Sequence, residues 1–359
     1  MTRVAFYAPM KPPDDPTPSG DREMARNLIA AISAKGARVD VVSDLKLHEK
    51  AGDPARQAVL RQQAKAEVAR LTKALQLDRP ALWVTYHNYY KAPDLIGPAV
   101  CAALKLPYVQ IESTRARKRL TGPWADFAQA AEAACDAAQV IFYLTANDLI
   151  TLERHRAPGQ RLIPLPPFLP TDSLPPASAC DGPMLTAGMM RAGDKLASYT
   201  ILAETLGYLH GNWQLEIAGD GPARAEVAAL MAPFGDRVRF LGQLDRETLS
   251  NAYGRAALFL WPGVNEAFGM VYLEAQAAGL PVVAQDRPGV RDVLLPGNYP
   301  APEDGPQALA ARLAPLLADP ALRRAKGEEA RAMIARTHLQ PAATDRFWSA
   351  VAPLLEAPA

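Results

Sequence analysis

Cysteine is scarce in this chain of 359 residues. Cys101, Cys135 and Cys180 are widely spaced and form no C-x-x-C pair, which excludes a disulfide framework and a zinc knuckle. An excess of one charge is also missing: 39 Lys and Arg against 38 Asp and Glu leave a net of +1, too little for a dedicated nucleic-acid footprint. No stretch free of Asp, Glu, Lys and Arg exceeds 11 residues, against the about 20 that a membrane-spanning helix needs. The apolar run at 4–8 is too short for the h-region of a signal peptide, so a soluble cytoplasmic protein is expected. The five histidines, His48, His87, His155, His210 and His338, are scattered without an i, i+4 pair, and no metal site is read from them.

What is present describes a globular protein. Hydrophobic residues make up 49% and charged residues 21%, which excludes disorder as a global description. The length suggests about two domains. Strands are predicted at 3–8, 38–43, 82–86, 108–111 and 140–143, with helices at 56–76, 92–104 and 124–136. Met24, Leu28 and Ile32, four apart, mark a further helix closed by Gly36. Strand, helix and strand within about 40 residues is a βαβ unit, so the sheet is read as parallel. The pattern breaks in a proline-rich run at 161–174, read as a linker. It restarts with strands at 184–187, 213–218, 237–241, 257–260 and 281–284, and is helical from about 304. The fold class is α/β, with an N-terminal Rossmann-like domain at 1–170 and a C-terminal one at 171–338. A terminal helix at 339–359 is expected to pack back on the first. Doubly wound sheets bind ligands outside the carboxyl ends of their strands, so a cleft between two such domains is the default site.

The sharpest cluster is Trp261-Pro262-Gly263-Val264-Asn265-Glu266-Ala267-Phe268-Gly269-Met270-Val271-Tyr272-Leu273-Glu274. It follows an apolar strand and runs into a helix, placing Glu266 in the turn and Glu274 in the helix's second turn. Free amides around Phe268 to Met270 are natural donors to an anion such as a diphosphate. Carboxylates in the same place accept hydrogen bonds from hydroxyls, which suits a ribose or a sugar ring. On spacing alone, two solvated helix-end glutamates fit equally well.

This segment resembles the donor site of GT-B glycosyltransferases of family four, the glycosyl transferases group 1, whose signature is two glutamates separated by seven residues. The resemblance continues through the helix, glycine, proline and strand of 275–284, the turn Gly219-Asp220-Gly221-Pro222, Phe240-Leu241-Gly242 and Tyr253. It implies two Rossmann-like domains facing across a cleft, acceptor on the first and nucleotide-sugar donor on the second, and a retaining transfer that needs no protein nucleophile. Glu274 would hold ribose hydroxyls and Glu266 the transferred sugar. The Phe268, Gly269, Met270 and Val271 amides would take sugar and diphosphate. Arg191 and Lys195, following Gly188 at a strand end, would neutralise the diphosphate, and preorganised cations do stabilise such a leaving group. Ser19-Gly20 stands where the family has a glycine-rich turn. No D-x-D triplet is present, so neither metal nor cofactor is expected.

The sequence departs from the family at Ser19-Gly20, which has a single glycine, after Ala284, where Pro288-Gly289 replaces a glycine pair and Asp292 a frequent glutamate, and above all at one strand end. Where many relatives end a strand in a histidine that reaches the donor sugar, this chain has Glu112 and Ser113. His87, ending the preceding strand, is a further candidate for a sugar or acceptor contact. Arg115, Arg117, Lys118 and Arg119 crowd the next loop, where they could meet an acidic acceptor or an anionic membrane surface. The acceptor expected is a sugar, a lipid-linked or a small molecule. The alternatives are a sugar-nucleotide epimerase or hydrolase of the same fold, and a catalytically silent nucleotide-sugar-binding protein. A partial Gly219-Asp220-Gly221 fingerprint, with Arg224 where a third glycine belongs, is poor support for a dehydrogenase.

Overall fold

Two separate parallel sheets, of six and five strands, organise the computed structural model, which describes residues 1–17 and 19–356. Each sheet lies in its own unit. The first comprises Met1–Pro166 with the chain from Gln340 onward, the second Pro167–Leu339.

In the first unit the chain runs β1 (Arg3–Tyr7), α1 (Gly20–Ser33), β2 (Arg38–Ser43), α2 (Pro54–Leu77), β3 (Leu82–Asn88) and α3 (Gly97–Leu104). It continues through β4 (Tyr108–Ser113), α4 (Ala125–Ala137), β5 (Val140–Tyr143), α5 (Ala146–Arg154) and β6 (Arg161–Pro164). The strand order is β2-β1-β3-β4-β5-β6. Central strands are covered on both faces and so read as near-continuous apolar runs: Val4, Phe6, Val84, Val109, Ile111 and Ile141 are fully buried. The segment expected as a linker from 161 begins instead with β6, parallel to β5 and paired as far as Tyr143 with Pro164. A sheet edge tolerates proline because the missing N–H faces no partner, and this is an edge strand.

The second unit holds β7 (Met184–Ala187), α6 (Asp194–Gly207), β8 (Leu215–Ala218), α7 (Arg224–Met231), β9 (Val238–Gly242) and α8 (Arg246–Arg255). Then come β10 (Leu258–Leu260), α9 (Met270–Ala277), β11 (Val282–Val283), α10 (Gly305–Ala318) and α11 (Pro320–Thr337), the strands in the order β11-β10-β7-β8-β9. The chain then re-enters the first unit as α12 (Gln340–Glu356). The helical C-terminal region is therefore three helices. Asp319 ends one and caps the next, its side chain accepting from the N–H groups of Ala321 and Leu322 ahead of which Pro320 opens the turn. α12 lies on α1: Thr344 Oγ1 donates to the Ala31 carbonyl at 2.9 Å and Trp348 Nε1 to that of Ile32 at 3.1 Å, while Phe347 stacks on Phe142 at 5.4 Å. Among the described residues no helix is long and apolar enough to cross a membrane.

Candidate functional site

In the second sheet the chain steps outward from β7 through β8 to β9, then returns to place β10 on the other side of β7. The loops leaving the carboxyl ends of β7 and β10 therefore diverge, and such a switch point is where open α/β sheets form their ligand crevice. The motif singled out in the sequence leaves β10 at this point, and Gly188 to Gly193 leave β7 beside it.

Side chains from the two loops meet. Lys195, the second residue of α6, bonds Glu266 through Nζ. The Trp261 indole N–H donates to the same carboxylate oxygen at 2.9 Å, and the Lys195 ammonium lies 5.7 Å from the centre of the Trp261 ring. Two further bonds tie the loop to α6: Asn265 Nδ2 donates to Asp194 Oδ2 at 2.8 Å, and the Val264 N–H to Ser198 Oγ at 3.0 Å. α9 is fastened in turn, with the Tyr272 hydroxyl on the Trp261 carbonyl at 3.1 Å and Gln276 bridging Val293 and Leu295 at 2.7 Å each. Gly188 lets this happen at close quarters: a Cβ there would stand 3.1 Å from the Trp261 ring.

Gly269 turns the chain into α9 with φ +73°, a left-handed conformation that other residues adopt at a cost. Among the described residues, no hydrogen bond engages the N–H groups of Phe268, Gly269, Met270 or Val271. They form the positive end of the helix dipole, suited to an anion. One turn on, Glu274 Oε2 accepts from the Tyr253 hydroxyl of α8 at 3.0 Å. Burial raises the Glu274 carboxyl above its ordinary pKa, against the opposing pull of the Tyr253 bond and the Arg246 charge. The switch point thus combines unpaired amides and a lysine for negative oxygen with two carboxylates for hydroxyls. Arg191 is on the same loop, exposed and without an ion pair among the described residues. Sequence reasoning missed the roles of Asp194, Ser198 and Asn265. Their bonds join positions about seventy residues apart, and no local signal carries them. Among the described residues no group of three or more His, Cys, Asp or Glu is placed to hold a metal ion.

The remaining candidates belong to the first unit. Gly20 is the first residue of α1, capped by Ser19 Oγ, which accepts from the Arg22 N–H. β3 and β4 run further than expected, and His87 and Glu112 sit inside their last turns with φ of +63° and +55°. Such non-glycine positions cost roughly 1–3 kcal/mol each and cluster at functional sites. They bring the two side chains together: His87 Nδ1 is 3.0 Å from Asp21 Oδ1 of α1 and 4.0 Å from Glu112 Oε2. Ser113 is fully buried. Arg115 leaves the basic cluster to which it was assigned, because its guanidinium is buried against Glu132 at 2.8 Å and Asp136 at 2.6 Å.

Burial works against a charge on His87, but Glu112 and Asp21 together push its pKa above the ordinary value. A histidine with a higher pKa folded than unfolded contributes stability that is complete below about pH 6.5 and fades as pH rises through the folded value. His87→Gln is therefore expected to lower Tm more at about pH 6 than at about pH 9, read by calorimetry. Equal losses at both would contradict the pairing.

Known proteins resemble the chain in sequence and in fold. Residues 196–333, which lie within the second unit, match the family described as glycosyl transferases group 1. Among curated proteins the chain is similar to an exopolysaccharide phosphotransferase of Streptomyces coelicolor, 32% identical over 47% of this chain and 18% of that one. It is also similar to the lipopolysaccharide core biosynthesis mannosyltransferase LpcC of Rhizobium leguminosarum bv. viciae, 35% identical over 34% of this chain and 36% of that one. The chain thus spans well under half the length of these relatives. Among solved structures, the sucrose-phosphate synthase from Thermosynechococcus elongatus matches with a TM-score of 0.72 at 20% identity, covering 100% of both chains. Anabaena HepE in complex with UDP matches with 0.72 at 15%, covering 98% of this chain and 100% of that one. At such identities the likeness shows the fold, which is that of GT-B glycosyltransferases.

Proposed function

We propose that the protein is a glycosyltransferase that moves a sugar from a nucleotide diphosphate-sugar to an acceptor hydroxyl, with retention of configuration and without a metal. The observation that carries this reading is the Lys195–Glu266 pair at the β7–β10 switch point, followed by four unpaired amides and by Glu274 on α9, with both glutamates inside the stretch matched to the family. Binding of UDP by the Anabaena neighbour supports a nucleotide as ligand. In this reading the diphosphate lies on the amides of Phe268 to Val271 and against Lys195 and Arg191. Glu274 accepts from ribose hydroxyls and Glu266 from those of the transferred sugar. As the anomeric carbon–oxygen bond breaks, negative charge grows on the departing phosphate, and fixed cations and amides stabilise it without reorganising. The acceptor oxygen forms the new bond, and the phosphate takes its proton.

Incubation with nucleotide-sugars and a panel of acceptors, followed by product analysis, tests the reading. The expected product is a glycoside of unchanged anomeric configuration, formed equally well in EDTA. Free sugar from donor alone, with no transfer to any acceptor, would point to the hydrolase alternative.

A further inference from the structure

We propose that the loops leaving the carboxyl ends of β3 and β4 form a binding site for a saccharide bearing an anionic group, a phosphate or a carboxylate. Resting on the glycosyltransferase reading, this saccharide is the acceptor. The two strands are adjacent and paired up to Asn88 with Ser113, so the segments that follow them emerge side by side on the edge where doubly wound sheets bind ligands.

These segments build a row of rings. Tyr89 lies 5.0 Å from the His87 ring, Tyr90 5.5 Å from Tyr89, and Trp124 5.8 Å from Tyr90. All are partly exposed. Aromatic surfaces with a few fixed polar groups are the usual lining of small-molecule sites, and the apolar C–H face of a pyranose packs against them. At one end of the row His87 is held through Nδ1 by Asp21 and makes no other hydrogen bond among the described residues, leaving Nε2 for a sugar oxygen.

The other end holds two cations. Lys91 Nζ is 5.2 Å from the Trp124 centroid and 5.7 Å from that of Tyr90; the Arg119 guanidinium is 5.5 Å and 5.3 Å from the same rings. Both are half-buried, and among the described residues neither has a carboxylate within ion-pair distance. The buried Nε of Arg119 has no hydrogen-bond partner among the described residues. A desolvated charge is costly unless paired, and ring faces offset only part of that cost. The contrast with Arg115 is informative, since the same loop supplies that arginine with two carboxylates. Lys91 and Arg119 are kept without a counter-ion beside a row of rings, and a ligand's anionic group completes them. Rings half-buried beneath the cations favour a saccharide over a lipid surface, which would take an exposed apolar anchor.

The full-length protein, without donor, would be titrated calorimetrically with glucose 6-phosphate, glucuronate, glucose and inorganic phosphate. We expect at least one acidic sugar to bind tenfold or more tightly than both glucose and inorganic phosphate. Lys91→Gln with Arg119→Gln, a pair that keeps side-chain length, is expected to abolish that difference while leaving UDP affinity and Tm unchanged. Three results would overturn the site: no acidic sugar binding, binding undiminished in the double variant, or inorganic phosphate binding as tightly as the sugars. Capture by phosphatidylglycerol vesicles in place of sugar binding would overturn it as well. Loss of UDP binding with acidic-sugar binding retained would instead count against the donor reading and leave this site standing.

Discussion

Replacing Lys195 by alanine is expected to lower turnover by about two to three orders of magnitude, the usual cost of removing one preorganised group aimed at developing negative charge. Lys195 is fixed at the start of α6 by its bond to Glu266 and by the Trp261 ring beneath it. Its charge therefore stands ready and need not be collected during the reaction. Among the described residues the same substitution leaves the Glu266 side chain with the Trp261 N–H alone, so some loss of sugar binding should accompany the slower step. The larger effect should fall on kcat, because the phosphate carries more charge in the transition state than in the bound donor. Lys195→Arg, which keeps a cation, should recover part of the rate. Steady-state release of nucleoside diphosphate measures both variants, and an unchanged kcat in Lys195→Ala would remove this residue from the chemistry.

Glu274→Ala is expected to weaken nucleotide binding by about ten- to a hundredfold, since hydrogen bonds to a charged group are worth about 1.5–3 kcal/mol. Among the described residues only one carboxylate oxygen is taken, by Tyr253, which leaves the other to accept ribose hydroxyls. Tyr253→Phe separates the two roles. It removes the bond that fixes the carboxylate without removing the carboxylate, and should cost less affinity than Glu274→Ala. Equal losses would assign Glu274 to the packing between α8 and α9. Direct titration with the nucleoside diphosphate reads both.

Much of this was legible in the residues. Buried parallel strands are apolar runs, so 38–43, 140–143 and 184–187 coincide with β2, β5 and β7 to the residue. β6 was hidden because Arg161–Pro164 has an edge strand's composition, exposed at both ends and closed by proline. The last residues of β3 and β4 were hidden by left-handed backbone at His87 and Glu112, which no propensity anticipates. At the switch point, the segment 261–274 announced itself through two carboxylates, a glycine and a helix start. Its partners did not, because the pairing of Lys195 with Glu266 depends on the strand order that sets β7 beside β10. Arg115 misled for the same reason: its neighbours in sequence are basic, and its neighbours in space are Glu132 and Asp136.

The central claim is that the β7–β10 switch point binds a nucleotide diphosphate-sugar. Thermal denaturation of the wild type and of Glu274→Ala, each with UDP, GDP, ADP, dTDP and their common sugar conjugates, with magnesium and with EDTA, tests it most directly. A ligand at a hundredfold excess over Kd adds about 2.7 kcal/mol to stability. The account predicts a rise in Tm for one nucleotide and its sugar conjugates, equal in magnesium and EDTA, and lost in Glu274→Ala. No rise with any of them, or a rise that the variant keeps in full, would contradict it.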